Sequence, residues 1–199
     1  MAIKTFTTGE VLTAADTNTY LANSGLVAIK PTSVSGTGVT LSEATVTIAA
    51  ASTASIIGCF SASFTNYVVV YNFTASSSYV RLKLRTASAD ISTNYGATMA
   101  YIADNSTAWS WLNPGTSSWA DTRWLISLPE RNFGTVTVFN PFLATSTFID
   151  GSGTSISSTN SAKFVYGGRN TGTDVCTGLT LFPDSGTFTG TVTVYGYRL

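Results

Sequence analysis

Histidine is missing from this chain altogether, and charge is scarce: ten Lys and Arg balance ten Asp and Glu, 10% of residues and a net charge of zero. The missing imidazole removes Ser-His-Asp and Cys-His catalysis and the commonest metal ligand in one step. The two cysteines, Cys59 and Cys176, match no metal or redox spacing. Without a histidine they also lack the usual activating base. Both are expected as buried free thiols in a chain made in a reducing cytoplasm. Few basic residues and no net charge exclude electrostatic capture of nucleic acid or of an anionic membrane. No apolar run approaches the roughly 20 residues that cross a bilayer, so no membrane insertion is expected. No apolar stretch follows Met1-Ala2-Ile3-Lys4 to form a secretory signal.

Nucleophile elbows, P-loops and dinucleotide fingerprints are also lacking. The acids Asp90, Asp104, Asp121, Glu130, Asp150, Asp174 and Asp184 fall mostly among turn residues, where aspartate usually bonds its own backbone. They suggest neither a glycosidase carboxylate pair nor a calcium-binding ladder. The reading is therefore non-enzymatic: no catalytic residues, no cofactor and no metal.

What is present is small, hydroxylated and apolar. Ser and Thr abound beside 17 Gly, hydrophobic residues reach 44%, and mean hydropathy is +0.23. A neutral, sparsely charged chain is poorly protected against self-association. It is expected to live packed against copies of itself or other subunits.

The clearest helix signal lies near the start. Thr13 is a good N-cap with Asp16 three residues on, a T-x-x-D form of the capping box. Asp16 also complements the helix dipole. Leu12 precedes the cap, Tyr20 and Leu21 supply an apolar edge, and Asn23 and Gly25 can stop the helix. A helix over 14–22 is too short to persist alone in water and must dock. Residues 1–26 read as an attachment arm and 27–199 as a β-rich head.

Strands are expected at 39–41 and 45–48 around a Gly/Ser turn at 35–38, at 59–64 before a turn at Asn66, and at 67–73, which is apolar on both faces. Alternation is sharpest at 79–85. There Val80, Leu82 and Leu84 face a core, and Arg81, Lys83 and Arg85 line the other side. That row is either a solvated face or a polar contact surface for a partner's acids or an anionic glycan. Further strands are expected at 94–102, 135–139, 161–166, 178–182 and 187–199, with a surface loop or edge at 149–161 and a turn at Gly167-Gly168. All four tryptophans, Trp109, Trp111, Trp119 and Trp124, surround Asn113-Pro114-Gly115. They suit a core or subunit interface, or alternatively a sugar-stacking platform. About nine or ten short strands of even spacing indicate an all-β fold, an antiparallel jelly-roll-like β-sandwich.

The run T-F-T-T-G-E-V-L-T-A-A-D-T-N-T-Y-L over residues 5–21 resembles the N-terminal signature of tailed-bacteriophage minor tail and tail-fibre proteins. F-S-A-S-F-T-N-Y from Phe60 onward and the closing V-Y-G-Y-R are similar to fibre-head strands of that group, with Phe64 where tyrosine is commoner. The resemblance implies a structural virion protein, made in the host cytoplasm, often trimeric, with its opening segment facing the particle. On that basis Phe6, Leu12, Thr13, Asp16, Asn18, Tyr20 and Leu21 are the candidate docking residues. Other virion proteins of tail or capsid are the expected partners, and host-surface polysaccharide is left open. A capsid decoration protein and a lectin-like module are the alternatives.

Overall fold

Strand-prone Val, Ile, Tyr, Phe and Thr, alternating with small polar residues, dictate pleated structure along the head. In a computed structural model, residues 7–11, 13–16, 25–75, 79–112, 130–156 and 160–197 are described. After a helical turn α1 (Ala14–Asp16), fourteen strands follow. They are β1 (Val27–Ile29), β2 (Ser33–Ser35), β3 (Val39–Ser42), β4 (Thr45–Ala51), β5 (Ala54–Ile57), β6 (Asn66–Ala75) and β7 (Val80–Arg85). The second half holds β8 (Tyr95–Ala103), β9 (Ser110–Leu112), β10 (Glu130–Phe139), β11 (Thr147–Ile156), β12 (Ser161–Asn170), β13 (Gly178–Pro183) and β14 (Phe188–Tyr197).

The expected all-β antiparallel sandwich forms, but its sheets are unequal. One has ten strands, ordered β3-β4-β14-β6-β10-β11-β12-β8-β9 with β1 also on β14; the other has four, ordered β2-β5-β13-β7. Their inner faces share one core, in which Ile48, Ile56, Phe73, Leu82, Leu84, Val136, Val138 and Leu179 are completely buried. A tyrosine of the large sheet bolts the layers together. The Tyr95 hydroxyl accepts the Leu84 N–H of β7 at 2.8 Å and donates to the Ile91 carbonyl at 3.0 Å. A second tyrosine, Tyr67, ties down the segment ahead of β6, accepting the Ser61 N–H at 2.7 Å and donating to its carbonyl at 2.8 Å.

Several expectations are corrected. Residues 59–64 are loop rather than strand, because Cys59 and Phe60 are buried consecutively and the Tyr67 hydroxyl takes up the Ser61 backbone groups. Asn66 is not a turn but the first residue of β6. The turn between β3 and β4 is at Glu43-Ala44, with Glu43 at φ 50°, whereas Gly36 to Gly38 joins β2 to β3. Gly167 and Gly168 lie inside β12, paired with Asp150 and Ile149. Of the expected helix only Ala14–Asp16 is described; residues 17–22 lie outside the described residues.

The largest correction concerns residues 149–161. In place of a surface loop, β11 runs through the middle of the large sheet, in unbroken register with β10 and β12. Its composition, Gly151-Ser152-Gly153-Thr154-Ser155, is poor strand material by itself. The neighbouring strands compensate. On the inner face Gly134 and Gly153 pair with each other, flanked by Tyr71 of β6 and Phe164 of β12. A Cβ on Gly153 would stand 2.3 Å from the Phe164 ring, one on Gly151 2.4 Å from Tyr166, and one on Gly134 2.1 Å from the Tyr71 hydroxyl. The rings therefore lie directly over bare backbone, the aromatic rescue of glycine in sheets. Tyr166 donates its hydroxyl to the Thr135 carbonyl at 2.9 Å and takes a long hydrogen bond of 3.4 Å from Tyr71.

This packing predicts opposite outcomes for two glycines of adjacent strands. Gly153→Ala must displace the Phe164 ring and is expected to cost roughly 1–3 kcal/mol. Gly167→Ala meets only the Ile149 carbonyl at 3.7 Å, and is expected to be neutral or stabilising by up to about 1 kcal/mol. Denaturant unfolding of both variants checks this; equal effects would contradict the aromatic cover.

Candidate functional site

The sequence-predicted sites fall into three groups, each built by a different local rule. In the arm, Gly9 at φ +88° lets the chain turn between Thr7 and Glu10. The Thr7 N–H donates to the Glu10 carboxylate at 3.1 Å, and the Glu10 N–H donates to the Thr7 carbonyl at 3.0 Å. Residues 7–11 and 13–15 are exposed, Val11 by 78%. Of the docking candidates, Thr13 is among these exposed residues and Asp16 closes the helical turn. Phe6, Leu12, Asn18, Tyr20 and Leu21 lie outside the described residues.

The basic row of β7 alternates as expected, with Val80, Leu82 and Leu84 inward. Its three cations are engaged within the chain. Arg81 forms an ion pair with Asp184, and Lys83 stands 5.0 Å from the Phe182 ring centroid. Arg85 bonds Asp90 at 2.8 Å. Asp90 continues the network, accepting from the buried Thr180 hydroxyl at 2.6 Å, which lies 3.0 Å from that of Ser55. The outer side of the small sheet is thus laced across β5, β13 and β7 by its own polar groups.

The tryptophans divide. Trp109 is 46% exposed, and Trp111 sits on β9, the edge strand, opposite Ala100. Trp119 and Trp124 lie outside the described residues.

Among the described residues, no group of three or more His, Cys, Asp and Glu side chains is placed to hold a metal ion. Asp104 is held by the Ser161 N–H at 2.8 Å and hydroxyl at 3.0 Å, and those bonds lower its carboxyl pKa. Burial pushes the Cys59 thiol up to about 12 and that of Cys176 up to about 11, so neither is a nucleophile near neutrality. Burial likewise raises the phenols of Tyr67, Tyr71, Tyr95 and Tyr166.

The surface that sequence reasoning missed is the outer face of the ten-stranded sheet. The register of β14, β6, β10, β11, β12 and β8 aligns outward residues in straight rows. Its central row reads Thr193, Val70, Thr135, Ser152, Val165 and the buried Ala100, with no charge at all. Of the ten exposed large hydrophobic residues among those described, Val70, Phe133, Phe148, Ile156 and Val165 all lie on this face. A shallow depression of about 450 Å³ crosses its middle, walled by Phe133 and Lys163 and floored by small hydroxylated residues. The signal for this face was in the sequence: residues 67–73 are apolar at both parities, yet Val68 is half-buried and Val70 is 39% exposed. Those two residues lack the second covering layer that the pattern implied.

Comparison of the chain with protein-family models, curated proteins and solved structures finds no match.

The buried thiols and phenols give a signed pH prediction. Their folded pKa values lie above the ordinary 9.0 and 10.0, so the neutral forms favour the fold. That stability is fully present below about pH 9 and is lost as pH rises toward the folded values. The urea midpoint is expected to fall steadily from pH 9 to 11. A midpoint unchanged over that range would contradict the burial of these groups. At pH 8 neither thiol should react with a disulfide reagent until the protein is unfolded.

Proposed function

We propose that the chain is a non-enzymatic structural subunit of a tailed-bacteriophage virion, a tail-fibre or minor tail protein. In this reading the arm of residues 1–26 docks on the particle, and the β-sandwich projects outward as a homo-oligomer. The observation that carries it is the 5–21 pattern, T-F-T-T-G-E-V-L-T-A-A-D-T-N-T-Y-L, combined with what the arm is made of. Its described residues 7–11, 13–15, 25 and 26 are exposed, with Thr7 and Glu10 bonded to each other, ahead of the first strand at Val27. A segment this short forms little structure by itself in water and is stabilised by docking.

The head supports the same reading through its chemistry. Three of the seven acids that could serve a hydrolase are structural: Asp90 and Asp184 neutralise arginines, and Asp104 holds the start of β12. A neutral, hydroxyl-rich sandwich is suited to packing beside copies of itself.

Removing residues 1–26 tests the docking role. The shortened chain is expected to keep its β-sheet circular dichroism and a cooperative melt, yet to be lost from particles when supplied in place of the full chain. Normal incorporation of the shortened chain would refute the docking role of the arm.

A further inference from the structure

We infer that the outer face of the ten-stranded sheet is the surface on which a second copy of this chain packs, face to face about a two-fold axis. The inference rests on the reading of the chain as a self-associating subunit and replaces the trimer that the resemblance implies with a two-fold pair.

Size is the first support. Six neighbouring strands of nine or ten residues present this face. At about 4.8 Å between strands and 3.3 Å per residue they span about 24 by 33 Å, roughly 800 Å². One partner's share of a standard stable interface is about 800 Å². The face carries such an interface without any help from loops.

Composition is the second. Half of the exposed large hydrophobic residues among those described gather here, around a centre of Val, Thr and Ser. An apolar centre depleted of charge is how interface cores differ from ordinary surface. The small sheet, by contrast, has its outer cations satisfied internally by Asp184, Asp90 and Phe182.

Charge placement is the third, and it selects the symmetry. Next to the central row on one side runs the row containing Phe133 and Lys163; next to it on the other runs the row containing Thr137 and Asp150. A two-fold axis along the central row lays each of these rows over the other in the partner. Lys163 of one copy then stands one strand from Asp150 of the second, twice over as an isologous contact requires, with Arg169 of the second one row further out. On the axis itself Thr135, Ser152 and Val165 meet their own counterparts. An axis parallel to the strands, between β10 and β11, puts Lys163 over Asn72 and Asp150 over Thr137 instead, with no complementarity.

The experiment is sedimentation of the full chain across the micromolar range, with variants matched for melting behaviour. The wild type is expected as a dimer. Val165→Arg places two cations face to face on the axis and should yield monomer, whereas Leu143→Arg, in the exposed connection between β10 and β11 and outside the strands that form the face, should remain dimeric. Lys163→Asp and Asp150→Lys should each raise the dissociation constant by about tenfold or more, and the double exchange should restore it. A trimer, or a double variant no tighter than the singles, would overturn the two-fold pairing. A wild-type monomer whose glycan binding is abolished by Val165→Arg would overturn the proposal in favour of a sugar-binding face. A monomer that still enters particles through its arm would overturn the interface and leave the virion reading standing.

Discussion

Everything wide about this molecule depends on aromatic rings lying over glycine. Tyr71, Phe164 and Tyr166 reach in from β6 and β12 to cover Gly134, Gly151 and Gly153 of β10 and β11. The glycines give the rings room, and the rings give the glycines the burial they cannot achieve alone. Each buried ring contributes of the order of 1.5–3 kcal/mol. The Tyr71 and Tyr166 hydroxyls avoid the cost of burial by bonding each other and the Thr135 carbonyl. Without that cover, β11 would separate the sheet into two smaller pieces. With it, a continuous ten-stranded surface exists.

The same economy runs through the small sheet. Its outer side has three cations on one strand, an arrangement that would repel itself if left unpaired. Asp184, Phe182 and Asp90 occupy them one by one, and Asp90 extends the network to Thr180 and Ser55. A row that looks like a docking site in sequence is thereby turned inward on the chain's own chemistry. The two outer faces end in different conditions: the cations of one are paired within the chain, while the other carries half of the exposed large hydrophobic residues among those described around an uncharged central row.

What the sequence made legible was periodicity. The alternation of β7 and β14, the hairpin strands β3 and β4, and the sandwich class could all be read from residues taken two at a time. What it hid was whatever depends on a neighbour distant in the chain. Gly151-Ser152-Gly153 reads as loop because its strand-forming partner atoms belong to residues 133–135 and 164–166. Residues 59–64 read as strand because alternation is blind to a tyrosine hydroxyl bonding Ser61. Apolar residues at both parities in 67–73 suggested a second covering layer, and the structure leaves Val70 exposed on that side. For the candidate sites, the alternation of β7 was read from the sequence and the partners of its cations were not. The arm is proposed from its pattern rather than from any contact it makes.

β11 is a core strand despite a loop-like sequence, held by rings contributed from either side. Native-state hydrogen exchange of its amides addresses this directly, because it reports the free energy of opening at each backbone position. The account predicts that the N–H groups within Gly151, Ser152, Gly153 and Thr154 exchange as slowly as those of β6, through global unfolding. Exchange of these amides at loop rates, with β6 still protected, would contradict it.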